Sequence, residues 1–331
     1  MMDPIRYRAD LHVHTRFSHW RHLDACNARD SYNDPLQVYR RLRSLGMDFV
    51  AISDHDTIDG ALDLLSRHPE LEPHVIVAEE VETRIPGTKQ WLHVNVFDID
   101  EAAHRDIRKL APDVRELVGY LRSRGILHVL NHPFQSYRLQ RPPATFMAEI
   151  LGLFDHFETR NAALSPRHNL LVDELLASAA RQGVRKHGVG GSDAHVMRHL
   201  AACHTEAPLA SIGSPMTAKR AFLESIACGR ARAVGHSIGA AALTSAVYRI
   251  IGRYYLEFTQ ADVRREMRPL NWGAAAVLAP AVVAGIPAFL SLGNALRVEA
   301  VTLHVRRALR RMEEAQAPVV EMGEPLGDPP G

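Results

Sequence analysis

The chain is short of cysteine, of lysine and of any long run of one charge, and each shortage argues against a class of protein. The three cysteines, Cys26, Cys203 and Cys228, are widely spaced and form no Cys-x-x-Cys pair. A disulfide framework or a thiolate zinc site is therefore not expected, and the reading is a reducing, cytoplasmic setting. Lys+Arg (39) and Asp+Glu (38) nearly cancel. No basic patch with interleaved aromatics is visible, so no strong nucleic-acid surface is expected. Residues 1–10 contain no apolar signal segment.

One apolar run stands out. Residues 272–296 carry no charge, a length able to cross a bilayer as a helix, with Arg268 before it and Arg297, Arg306, Arg307, Arg310 and Arg311 after it. Pro280 and Pro287 leave two readings open, membrane contact through 271–296 or a packed helical hairpin. A single crossing would favour a cytoplasmic C-terminus.

Over most of the chain, short apolar runs alternate with amphipathic segments. Strands are expected at 8–14, 49–53, 74–78, 91–97, 127–130, 156–160, 188–191 and 231–235. Helices are expected at 35–45, with Asp34 as N-cap and Gly46 as stop, and at 113–124, 168–181, 216–228 and 243–258. Val- and Ile-rich strands alternating with helices predict a mostly parallel sheet covered by helices, better as a (β/α) barrel than as an open sheet. The expected organisation is a barrel domain over 1–240, an amphipathic connector over 241–270, the apolar segment 271–296, and an Arg-rich then disordered tail over 297–331.

In parallel α/β architectures chemistry gathers at the carboxyl ends of strands, and the polar residues here follow that rule. His12 and His14 flank Val13 and share one face of an extended chain. The run 49–53 enters Asp54-His55-Asp56, 74–78 enters Glu79-Glu80, 127–130 enters Asn131-His132, and 188–191 enters Ser192-Asp193-Ala194-His195. His93 lies within 91–97. A metal cluster would account for bringing so many imidazoles and carboxylates together, since burying them without cations is costly.

Asp-Leu-His-Val-His-Thr, Ala-Ile-Ser-Asp-His-Asp-Thr-Ile-Asp-Gly, Asn-His-Pro and Ser-Asp-Ala-His, in this order, resemble the PHP (polymerase and histidinol phosphatase) family over roughly the first 240 residues. The resemblance implies a distorted (β/α)7 TIM-like barrel, here with a C-terminal helical and apolar extension. It also implies two or three divalent ions (Mn, Fe or Zn) and hydrolysis of phosphate esters. Carried over, it gives one metal to His12, His14, Glu80 and Asp193, with Glu80 bridging to a second held by His93 and His132. Glu80 is preferred to Glu79 from the local motif. A third metal would use His55, His195 and an aspartate. There the sequence departs from the family pattern: Ser18-His19-Trp20 replaces the usual Ser-Asp-Gly, and 21–29 looks inserted. Counting back from Pro35 selects Asp30, with His19 the competitor; otherwise the site is dinuclear, or the inserted loop with His19 and His22 forms a lid.

The expected function is a metal-dependent phosphoesterase acting on a small phosphorylated metabolite or nucleotide. His195 or His55 are the candidates to protonate the leaving oxygen. Arg84, Arg160 and Arg138 are the candidate substrate-binding cations, with Asn161 and His236 as further possibilities. An amidohydrolase or deaminase is the enzymatic alternative, weakened by the lack of a lysine at a strand end. A non-catalytic, membrane-associated sensor keeping the barrel is the third reading.

Overall fold

The computed structural model describes residues 6–19, 29–208, 215–257 and 269–316. His22, Cys26, Arg268, the proposed lid segment 21–28 and the tail from 317 lie outside the described residues.

Nine strands form one sheet: β1 (Arg6–Asp10), β2 (Phe49–His55), β3 (Val75–Arg84), β4 (Trp91–Phe97), β5 (His128–Asn131), β6 (His156–Asn161), β7 (His187–Gly191), β8 (Cys203–Pro208) and β9 (Arg232–Gly235). Their order is β7-β6-β5-β4-β3-β2-β1-β8-β9. The row curls so that β7 comes against β8 and the end of β1. Thr205 Oγ1 of β8 accepts from Gly190 N and donates to Gly190 O, both at 2.9 Å, and Val13 beyond β1 bridges Ala194 beyond β7. Gly190 permits the approach, because a Cβ there would lie 2.5 Å from the His204 carbonyl. The result is a nearly closed barrel.

Two expectations are corrected. The described residues form nine strands rather than seven units, and the sheet is mixed rather than mostly parallel. β4 runs antiparallel to β3 and β5, and β8 antiparallel to β1 and β9. β3 also extends well past 78, because it returns as a hairpin through 85–90 instead of ending in a crossover.

The helices cover the barrel. α1 (Pro35–Ser44) starts where expected, with the Asp34 side chain accepting from Leu36 N and Gln37 N. α2 (Asp59–Arg67), α3 (Glu101–Leu110), α4 (Val114–Ser123), α5 (Pro143–Leu153), α6 (Pro166–Arg181) and α7 (Pro215–Ala227) follow in turn. The apolar run 272–296 is not one span. It is divided between α9 (Pro269–Val283) and α10 (Ile286–Gln316), which follow α8 (Ala240–Glu257), and the chain turns at Gly285, whose φ is +78°. No helix among the described residues is long and apolar enough to cross a membrane. α10 instead sends Val301, Val305 and Leu309 into the largest buried cluster, with Leu117, Phe146, Phe157 and Leu171.

A brace under the future site sets a sharp packing test. Asp54, fully buried at the end of β2, accepts from Thr15 N at 2.5 Å and from Thr15 Oγ1 at 2.6 Å. Burial pushes its carboxyl up to about 7, against the lowering effect of those two bonds. Gly60 of α2 lies against this pair, where a Cβ would fall 2.1 Å from Asp54 Oδ2 and 2.6 Å from Thr15 Oγ1. Exposed helical Gly→Ala changes stabilise by up to about 1 kcal/mol. Gly60→Ala is expected to reverse that sign and cost about 1–3 kcal/mol through overpacking. Gly119→Ala in α4, where nothing lies within 4 Å of the new atom, is the control that gains stability. Urea unfolding of both variants checks it, and equal midpoints would refute the brace.

Candidate metal centre

Each expected ligand reaches the barrel mouth by a distinct local route. Past β1 the chain stays extended, so Val13 packs into the core while His12 and His14 turn together, ring centroids 5.0 Å apart. Alternation along β3 separates its two glutamates. Glu79 faces α3, where both of its oxygens lie 3.0 Å from His104 Nδ1. Glu80 faces inward. His93 sits near the start of β4, not its end, and reaches the same rim because β4 is antiparallel: it pairs with Glu82 of β3 and Asn131 of β5. His132 and Asp193 follow β5 and β7 with φ of +26° and +53°, and Asp56 follows β2 with φ of +56°. Non-glycine residues in the left-handed region cost energy and concentrate at functional sites.

Glu80 is the hub. Its Oε2 lies 3.2 Å from His12 Nε2, 3.5 Å from His14 Nε2 and 3.1 Å from His55 Nδ1. Its Oε1 lies 3.2 Å from His93 Nδ1 and 3.1 Å from His132 Nε2, and accepts from Asn131 Nδ2 at 2.8 Å. Asp193 Oδ1 stands 3.6 Å from His12 and 3.4 Å from His14. Asp30 Oδ2 is 3.4 Å from His55 Nε2 and 3.6 Å from His195 Nε2, and takes a hydrogen bond from Ser18 Oγ.

All nine expected ligands fall into four groups whose donor atoms lie within 4.8 Å of one another: His14, Asp30, His55 and His195; His12, Glu80 and His132; His12, His14 and Asp193; His55, Glu80 and His93. Asp30, rather than His19, joins His55 and His195; His19 lines the cavity above.

The donors suit divalent cations. His12 Nε2, His14 Nε2, Asp30 Oδ1, Glu80 Oε2 and His93 Nδ1 are buried without a hydrogen-bond partner. The near approaches among them lack hydrogen-bond alignment. Each such atom costs about 1–3 kcal/mol if left unsatisfied. Imidazole-plus-carboxylate sets of this kind suit zinc, iron and manganese.

The electrostatics point the same way. Burial raises the Glu80 and Asp193 carboxyls, but the surrounding histidines, His12 foremost, more than offset it and hold both well below the ordinary range. Burial lowers the imidazoles, with divergent results. Glu80 and Asp193 keep His12 well above its usual value, and Glu80 lifts His93 to about 10. Asp30 lifts His195 to about 9, whereas burial drives His55 down to about 3. Without cations, protons shared unevenly among the histidines balance the carboxylates, and metal binding would displace them.

Above the cluster lies a cavity of about 260 Å³ whose wall adds His19, Asp56, Glu82 and Gln135 to the ligands. The three expected substrate arginines are not among its lining residues. Arg160 pairs with Asp173 of α6, because a register shift between Glu158 and Arg160 turns it outward. Arg84 lies over the Trp91 ring and lines a separate cavity of about 120 Å³ with Arg108. Arg138 is exposed. His236 is exposed and accepts from Cys203 Sγ through its carbonyl.

Two polar residues stand behind the ligands, Asn131 of the Asn-His-Pro motif and Glu158, which belongs to no motif. Asn131 holds Glu80, as above. Glu158 of β6, buried, accepts from His132 N and Asn161 Nδ2 and lies 2.8 Å from His12 Nδ1. The sequence gives Glu158 no distinguishing signal, since β6 is polar apart from Phe157.

No protein-family model matches the chain. The uncharacterized protein MJ1587 of Methanocaldococcus jannaschii is 28% identical over 128 residues, which is 38% of this chain and 68% of that protein. Among solved structures, PsfC from Pseudomonas syringae is similar over 76% of this chain and 99% of its own, at 17% identity and a TM-score of 0.49. A protein assigned as a metal-dependent phosphoesterase from Bifidobacterium adolescentis is similar over 59% of this chain and 90% of its own, at 18% identity and a TM-score of 0.41. The lesion-specific endonuclease EndoQ of Pyrococcus furiosus is similar over 65% of this chain and 55% of its own, at 14% identity and a TM-score of 0.43. At such identities and scores these likenesses carry no functional inference.

Proposed function

We propose that the chain is a metal-dependent phosphoesterase that hydrolyses an ester of a small phosphorylated metabolite or nucleotide, with two or three divalent ions (Mn, Fe or Zn) held by the nine ligands. The observation that carries this reading is the set of buried, partnerless ligand atoms converging around Glu80 beneath an open cavity. The ordered motifs that resemble the PHP family support the same residues and the same chemistry. Bound there, the ions supply an activated water and offset charge on the phosphoryl oxygens.

The chain's own groups set the rest. Asp56, Glu80, Glu82 and Asp193 all line the cavity, and no lysine or arginine lines it among the described residues. With the imidazole protons only balancing these carboxylates, such a wall offers a phosphate dianion no net positive charge unless metal ions are present. His195 is held by its Nδ1 against the Asp193 carbonyl at 3.0 Å, so that Nε2 faces Asp30 and the cavity. Where only two ions are bound and the group of His14, Asp30, His55 and His195 holds none, we assign the His195 Nε2 the proton for the leaving oxygen, with His55, its neighbour across Asp30, as the alternative.

Chelation tests the charge argument directly. Metal-free protein is expected to lose phosphate release from a panel of phosphomono- and diesters, and also to lose binding of inorganic phosphate by at least about 100-fold, roughly 2.7 kcal/mol. Adding back Mn, Fe or Zn restores both. Phosphate binding that survives chelation would overturn the role given to the cations. Bound metal with turnover only on amides or amidines would move the chain to the amidohydrolases.

A further inference from the structure

We infer that Glu158 is a positioning residue for the metal centre: it fixes the His12 proton on Nδ1 and turns the Nε2 lone pair onto the cluster. This rests on the metal-centre reading above and adds a residue to it.

Glu158 is 2% exposed, and both of its oxygens are engaged. Oε1 lies 2.8 Å from His12 Nδ1; Oε2 accepts from His132 N at 3.0 Å and from Asn161 Nδ2 at 2.8 Å. The carboxylate already serves as acceptor to two N–H donors, so the hydrogen in the His12 contact is assigned to Nδ1. In the metal-bound, neutral ring Nε2 is then bare. That atom is buried without a hydrogen-bond partner, 3.2 Å from Glu80 Oε2 and 3.6 Å from Asp193 Oδ1.

The same carboxylate reaches further. Its bond to His132 N holds the residue whose φ is +26° at the end of β5. Asn161 Nδ2, which it also holds, lies 3.2 Å from Asp193 Oδ2. One buried acid on β6 thus braces ligands that arrive from the ends of β1, β5 and β7. Gly191 makes room for it: a Cβ there would lie 2.3 Å from His12 Cβ and 3.0 Å from Glu158 Oε1. Partners of this kind orient ligating histidines and tune their basicity.

Glu158→Gln is the test, because three donors converge on this carboxylate and an amide offers one accepting oxygen. If the amide nitrogen meets His12, the ring proton is driven to Nε2, facing the metal. If the oxygen meets His12, the nitrogen faces two other donors. Zinc binding is followed by titration calorimetry, and the His12 ring by ¹⁵N–¹H correlation in the zinc-loaded protein. In the wild type the proton is expected on Nδ1 with Nε2 bound to zinc. In Glu158→Gln, affinity for at least one zinc is expected to fall about 10- to 100-fold. A folded Glu158→Gln chain with unchanged zinc affinity would overturn the inference and leave the metal reading intact. So would a wild-type His12 that binds zinc through Nδ1, a measurement that needs no variant to fold. A wild-type chain that takes up no zinc, manganese or iron would overturn both.

Discussion

Glu80→Gln is expected to cut phosphate release at least about 10³-fold, about 4 kcal/mol of transition-state stabilisation, and to strip metal from the chain. Its carboxylate lies within 3.5 Å of five imidazoles and links two of the four ligand groups, so its loss reaches most of the cluster. An amide in its place brings two N–H bonds toward nitrogens that must bind a cation, and it carries no charge to balance one. Glu79→Gln, one residue away, supplies the contrast. Glu79 is equally buried but faces His104 of α3, outside the cluster. Its loss is expected to leave metal content unchanged and to cost about 1.5–3 kcal/mol of stability, the range for a hydrogen bond to a charged group. Metal analysis, phosphate release and urea unfolding on the two variants form a complete crossover. A Glu80→Gln chain that keeps its metals and its rate would sink the hub; metal loss in Glu79→Gln would show that the face assignment along β3 is wrong.

Alternation separates the two adjacent glutamates whatever the fold, but the choice of Glu80 over Glu79 as the inward one comes from the resemblance of the local motif, not from alternation. The His-x-His pair does read from alternation, because an extended backbone alone puts His12 and His14 together. Asp30 was reached by counting from Pro35, which works because α1 begins there and the chain before it is anchored: Asn33 O accepts from Arg16 N, and Ser31 Oγ bonds the His14 carbonyl. Strand direction was harder. Pro86-Gly87 between two apolar runs is a hairpin signal, and taking it as one would have made β4 antiparallel and placed His93 at the rim. β8 gives little pattern because its inward residues, Cys203, Thr205 and Ala207, are small and its neighbours polar. The shift that turns Arg160 out to Asp173 leaves no trace in the sequence, since a bulge depends on the partner strand. Glu158 is illegible for a related reason: its role depends on where β1, β5 and β7 end.

The C-terminal extension gives the second large effect. Composition reads 297–331 as an Arg-rich tail beyond a barrel that ends near 240, and deleting 286–331 would on that reading leave the barrel intact. The packing predicts the opposite. Val298, Val301, Val305 and Leu309 recur at helical spacing on one face of α10, and each is at most 4% exposed. Fully burying a side chain of this size is worth about 1.5–3 kcal/mol, so four of them amount to a large part of the roughly 5–15 kcal/mol that stabilises a domain. The arginines serve this packing: Arg306 pairs with Glu174 of α6, and Glu299 takes Arg167 at 2.6 Å and Ser165 at 3.1 Å. The deletion is therefore expected to abolish cooperative unfolding and activity together. Two point changes grade the effect. Leu309→Ala is expected to cost about 2–5 kcal/mol through the cavity it leaves, whereas Arg306→Ala, at a partly exposed ion pair, costs no more than about 1 kcal/mol. Arg297 separates fold from function: its Nη2 donates to the Gln135 carbonyl at 2.9 Å, and Gln135 lines the cavity over the metals. Arg297→Ala is expected to raise KM several-fold with little change in the urea midpoint. A truncated chain that unfolds cooperatively at the full-length midpoint would return the boundary to 240; loss of folding makes α10 part of the barrel's core and, through Gln135, of its active-site wall.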